Sequence, residues 1–162
     1  LSSYQGADAP GIFLQVTYLV ECVAPRSLHV DRYLPITPIT LWLDHKGEVV
    51  SEPNTSEAVL SQTPDTDQIL GNSAIKGLVK KMVKSAERQM FELTQDIVEE
   101  AGFAAEQELQ SEIARLQNLA QLNPAIDKEE IKNLQTHQVA IEEALAETRF
   151  RLDSVHLVVF EN

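Results

Sequence analysis

The sequence predicts an α+β fold: a small antiparallel sheet of about four strands, with a long antiparallel helical hairpin inserted before the last strand. Three observations carry that expectation. Apolar side chains alternate with polar ones near the start of the chain, the mark of half-buried strands. From Asn72 the apolar spacing changes to threes and fours and stays so almost to Arg149, the mark of helix. A turn at Leu122-Asn123-Pro124-Ala125 divides that helical stretch in two.

Residues 1–10, with Gly6 and Pro10 and little apolar content, read as a frayed end. In 12–23, Leu14, Val16, Tyr18, Val20 and Cys22 share one strand face; Gln15, Thr17 and Glu21 share the other. Ala24-Pro25-Arg26-Ser27 is a turn. A second strand is predicted over 28–34, where Leu28, Val30 and Arg32 alternate with His29, Asp31 and Tyr33. Pro35 and Pro38 bracket a kink, because proline cannot donate to a ladder. Ile39 to Leu43 is a third strand, Asp44-His45-Lys46-Gly47 a tight turn, and Glu48 to Ser51 a short returning arm. Residues 51–72, rich in Ser, Thr, Pro, Asp and Asn, read as a long loop with one helical turn at Glu57 to Leu60.

In the first helix the apolar set runs from Ile75, Leu78, Val79, Met82 and Ala86 to Ile113, Leu116 and Ala120, with Gly102 as its weak point and candidate bend. Asp127 with Glu130 forms a capping box for the second helix, and Ile126 with Ile131 a hydrophobic staple. Leu152 to Phe160 is the last strand. A helix over 72–121 would be about 75 Å long at 1.5 Å per residue, and the second about 35 Å. Helix two can therefore cover only the later half of helix one, roughly 99–121. The earlier half needs the sheet face as cover. The domain organisation expected is one domain over 1–162: sheet 12–51 and 151–160, loop 52–71, helical hairpin 72–149.

The chain has 162 residues, 43% hydrophobic and 23% charged, which suits one domain with a core of its own. No apolar run approaches the roughly 20 residues of a membrane-spanning helix. Leu1 to Pro10 lacks the basic start and apolar core of a signal peptide, and the absence of an initiator Met suggests an excised piece. The single cysteine, Cys22, excludes an internal disulfide and fits a reducing, cytoplasmic setting, in which the sequon Asn54-Thr55-Ser56 is a chance match. A net charge of −12 disfavours general attraction to nucleic acid unless positive charge is concentrated locally.

No catalytic constellation is visible. None of the six glycines stands in a phosphate-loop spacing, and no GxSxG elbow exists. His29, His45, His137 and His156 lie outside metal-ligand spacing of one another and of Cys22, so no metal and no cofactor is expected. Glu99-Glu100 and Glu142-Glu143 point about 100° apart on a helix and read as solvated faces. The informative charges are Lys76, Lys80, Lys84 and Arg88, spaced by four along helix one, with Lys81 beside them. Residues 76–88 hold five basic residues and one acid, Glu87, whereas 92–147 hold thirteen acidic and three basic. The row is either a contact stripe for phosphates or an acidic protein surface, or a solvated row offsetting acids such as Asp65 and Asp67. No aromatic residue interleaves with the lysines, so base stacking is not indicated.

Several segments resemble a known family in wording and order. They are 14–21 (LQVTYLVE), 23–26 (VAPR), Arg32-Tyr33-Leu34-Pro35-Ile36-Thr37-Pro38 with Ile39-Thr40, 43–47 (LDHKG), 122–126 (LNPAI) and 151–159 (RLDSVHLVV). Together they are similar to the C-terminal part of the RapA family, the bacterial RNA polymerase-associated Swi/Snf-type ATPases. The resemblance covers nearly the whole chain and is most specific at 32–38. It implies a C-terminal domain fragment of a helicase-like motor that helps RNA polymerase recycle, with the ATPase lobes, ATP and Mg lying upstream and absent here. It further implies core RNA polymerase and the other domains of the same ATPase as partners, DNA or RNA contact through the parent, no membrane, and a cytoplasmic, nucleoid-associated setting. No catalytic position carries over, and the basic row 76–88 matches no family motif. Two other readings stand beside this one: a nucleic-acid contact module on Lys76 to Arg88, and a structural or dimerisation element using the apolar hairpin.

Overall fold

The computed structural model describes residues 2–5, 11–53, 59–60, 71–123 and 128–161. The strands are β1 (Ser2–Gln5), β2 (Gly11–Glu21), β3 (Thr37–Leu43), β4 (Val49–Val50), β5 (Val59–Leu60) and β6 (Arg149–Glu161). The helices are α1 (Ser73–Leu122) and α2 (Lys128–Ala146), and two 3-10 turns stand at Arg26–Leu28 and Val30–Arg32. The fold is α+β, with a long helix pair placed before the last strand, as the change of period requires. The chain divides into two compact units, Leu1–Leu19 with Pro38–Glu92 and Arg151–Asn162, and Val20–Thr37 with Leu93–Phe150.

In the first unit the strand order is β4-β3-β2-β6-β1-β5. The alternation along β2 buries Leu14, Val16 and Tyr18, each at 1% exposure or less, and leaves the intervening residues half-buried. Leu41 and Leu43 of β3 and Leu157, Val158 and Phe160 of β6 are also buried. Phe13 meets Phe160 edge to face, with centroids 5.5 Å apart. The first half of α1 contributes Met82, Ala86 and Met90, all fully buried at steps of four. β3 and β4 form the expected hairpin, with Trp42 opposite Val50 and Leu43 opposite Val49. Its turn is built by Asp44, whose carboxylate accepts the N–H of Lys46 and of Glu48 at 2.9 Å each. Gly47 takes φ +88°, a conformation that costs any residue with a Cβ. Its carbonyl accepts a hydrogen bond from Ser85 of α1 at 2.6 Å.

The sheet differs from expectation at its far edge. Residues 2–5, read as a frayed end, form β1 parallel to β6, Ser2 standing opposite Val158. Val59–Leu60, read as part of a helical turn, pairs antiparallel with β1, Tyr4 opposite Leu60. Backbone pairing defines these strands. Four and two residues are too few to show a period of two. The rest of the predicted loop beyond Pro53, the sequon and the acids Asp65 and Asp67 lie outside the described residues.

In the second unit Ala101, Ala105 and Leu109 of α1 share one core with Ile141 and Leu145 of α2, and with Val30 and Leu34. Five residues separate the helices in sequence, so α2 returns antiparallel along the later half of α1. Pro124 to Asp127 lie outside the described residues, and with them Asp127 of the capping box and Ile126 of the staple. α1 runs unbroken through Gly102. The last strand starts at Arg149, three residues before the expected Leu152.

The predicted strand over 28–34 is not one. Those residues form the two 3-10 turns, joined at His29 in the left-handed region at φ 50°. Leu34 N–H donates to the Val30 carbonyl at 2.8 Å, four residues back. Val30 and Leu34 are thus buried at helical spacing in the core they share with both helices. An alternation of seven residues between two prolines fits a turn packed on a hairpin as well as it fits a strand, and burial of this pair decides it.

Candidate basic face and turn cleft

Lys76, Lys80, Lys81, Lys84 and Arg88 are all exposed on the part of α1 that belongs to the first unit. An α-helix turns about 100° per residue, so Lys76 to Arg88 sweep about 120° of its surface over about 18 Å. Met82, Ala86 and Met90 fall roughly on the opposite side, which is why the row stays in water while α1 is anchored. Among the described residues none of the five cations is in an ion pair. Glu87, the acid within the row, lies near enough to Tyr18 to act on it. Burial first and this carboxylate second push the Tyr18 phenol up to about 12.

A residue that the sequence reading passed over completes the face. Phe91 is 60% exposed. It stands three residues beyond Arg88 and seven beyond Lys84, inside the arc the cations sweep. Phe91 follows the last cation and so lies outside the span of the lysines. A large aromatic at a surface position, i+3 from an arginine, was the available signal.

The second unit carries a different feature. A cleft of about 450 Å³ lies between the 3-10 turns and the helix pair, lined among others by His29, Arg32, Tyr33, Glu108 and His137. Arg32 Nη2 pairs with Glu108 Oε1 at 2.7 Å, and the Arg32 guanidinium lies 5.9 Å from the Tyr33 ring centroid. Burial, and then Glu108, raise the Tyr33 pKa. The cleft brings together two histidines that are far apart in sequence; of its acids, Asp31, Glu108 and Glu112, Glu108 is matched by Arg32 and Glu112 by Arg115. Elsewhere, His156 Nε2 is 2.9 Å from Ser2 Oγ, and the Cys22 thiol donates to the Ala144 carbonyl at 3.0 Å. His45 is exposed, as are Glu99, Glu100, Glu142 and Glu143. Among the described residues no group of three His, Cys, Asp or Glu side chains is placed to hold a metal ion. No helix among them is long and apolar enough to cross a membrane.

The most specific segment of the sequence resemblance has a structural meaning here. Arg32 and Tyr33 bind Glu108 at the cleft, Leu34 fills the core, and Pro35 ends the turn before β3. Consistent with that, the model of a protein family described as the RNA polymerase recycling family C-terminal matches residues 2–160. The chain belongs to this family. Similar proteins include the RNA polymerase-associated protein RapA of Pasteurella multocida, 30% identical over 151 residues. Others are the proteins of the same name from Haemophilus influenzae, 29% identical, and Klebsiella pneumoniae, 27%. Each match covers 91% of this chain and 16% of the relative. The recycling-family chain therefore spans about one sixth of the length of these relatives.

Proposed function

We propose that this chain is a non-catalytic accessory module of an RNA polymerase-associated, ATP-dependent helicase-like protein that promotes polymerase recycling in the cytoplasm. The observation that carries the reading is the family match over residues 2–160, nearly the whole chain. The chemistry of the residues supports it. The sequence holds no phosphate-binding loop spacing, and in this reading ATP and Mg belong to segments of the parent outside the chain. What it offers is surface: a helix pair braced by the Arg32-Tyr33-Leu34 turn, and an exposed basic helix face. Its partners in this reading are core RNA polymerase and the motor lobes of the same ATPase.

The test is retention of purified core RNA polymerase on the immobilised 162-residue chain, run beside the full-length ATPase with this region deleted. The expected outcome is retention by the chain, and slower polymerase recycling by the truncated motor. A truncated motor that binds and recycles polymerase like the intact one would overturn the reading.

A further inference from the structure

The cations of α1 are unexplained by the accessory role. They are five in a segment with one acid, in a chain whose net charge is −12. A row kept only for solubility would not need one sign, and five cations against one acid in thirteen residues make this face attractive to a polyanion. Lys76, Lys80, Lys84 and Arg88 present a charge about every 6 Å along the helix axis. Phe91, 60% exposed, ends the same face. Exposing a phenylalanine beside an arginine serves a flat π surface better than it serves an acidic peptide, whose carboxylates gain nothing from the ring. Nucleic-acid bases each offer such a surface, and successive phosphates offer the charges.

We propose that this exposed face of α1 binds single-stranded nucleic acid, with Lys76, Lys80, Lys84 and Arg88 on backbone phosphates and Phe91 stacked on a base. A single strand is the fitting form because its bases are free to meet an exposed ring on the convex surface of a helix. In a duplex they are stacked on one another and out of its reach. Glu87 limits the strength of the contact, and the acidic remainder of the chain confines the strand to this face.

The experiment is fluorescence anisotropy of a short labelled ribo-oligonucleotide of mixed sequence with the 162-residue chain, over a range of salt. Four phosphate contacts predict a log–log salt slope of about −2.8. Replacing both Lys80 and Lys84 by Gln brings it to about −1.4. Phe91→Ala weakens single-strand binding at least about fivefold with the slope unchanged, and leaves the weaker binding of a duplex of the same sequence where it was. All three replaced side chains are exposed, and unchanged thermal midpoints verify that the fold survives. Absence of binding at low salt overturns the proposal. So does indifference of single-strand binding to Phe91→Ala. A poly-glutamate peptide that competes as well as the oligonucleotide assigns the face to an acidic polypeptide and likewise overturns it.

Discussion

At Tyr18 burial and a neighbouring acid act in the same direction. The side chain is 1% exposed in the middle of β2, and its phenol is pushed up to about 12, chiefly by burial and then by Glu87. The folded state therefore holds the neutral phenol more tightly than the unfolded chain does, where tyrosine ionises near its ordinary 10. The stabilisation is fully present below pH about 10 and is lost as pH rises from there through about 12. Tyr18→Phe removes the ionisable group and nearly keeps the shape. Its thermal midpoint should fall less steeply than that of the parent across this window, measured by circular dichroism at successive pH values. Equal slopes would place the alkaline sensitivity elsewhere. The basic row shows how far single residues were legible. Spacing by four is enough to place Lys76 to Arg88 on one face, because the helix is long and regular. The register of Phe91 on that face was legible in the same way, from its spacing of three from Arg88 and seven from Lys84. Its degree of exposure was not, and needs the fold.

Elements were legible in proportion to their length. β2, α1 and α2 carry many repeats of their own period, so the pattern dominates any local accident. The turns at 26–32 and the strands β1 and β5 carry too few, and tertiary partners decide them: Val30 and Leu34 by joining the helix core, β1 by pairing with β6. Gly102 was a fair candidate for a bend, yet α1 continues through it. A Cβ built at Gly102 meets nothing within 4 Å, so no packing demands glycine there. Gly102→Ala should raise stability by about 0.5–1 kcal/mol, because glycine loses more backbone freedom on entering a helix. Ile141→Ala, in the core shared by α1, α2 and the turn, should lower it by about 2–5 kcal/mol. Urea denaturation followed at 222 nm reads both. A loss of stability in Gly102→Ala would mean that the helix uses that position for a close approach.

At the scale of the whole molecule, four elements run from one compact unit into the other. The division falls inside β2, between Leu19 and Val20; at the first residue of β3, between Thr37 and Pro38; inside α1, between Glu92 and Leu93; and inside β6, between Phe150 and Arg151. Melting one unit alone would end α1 in mid-course and leave a new set of helix-terminal N–H and C=O groups without partners. It would also break three strands part-way along. Those penalties favour unfolding of both units together. The single tryptophan, Trp42, sits in β3 of the first unit and reports on it by fluorescence. Most of the helix, from Leu93 to Leu122 and through α2, belongs to the second unit and dominates the signal at 222 nm. The two probes should therefore give coincident urea transitions with one midpoint. Separated midpoints would show that the shared elements can break at the unit boundary, and that each unit holds its own structure without the other.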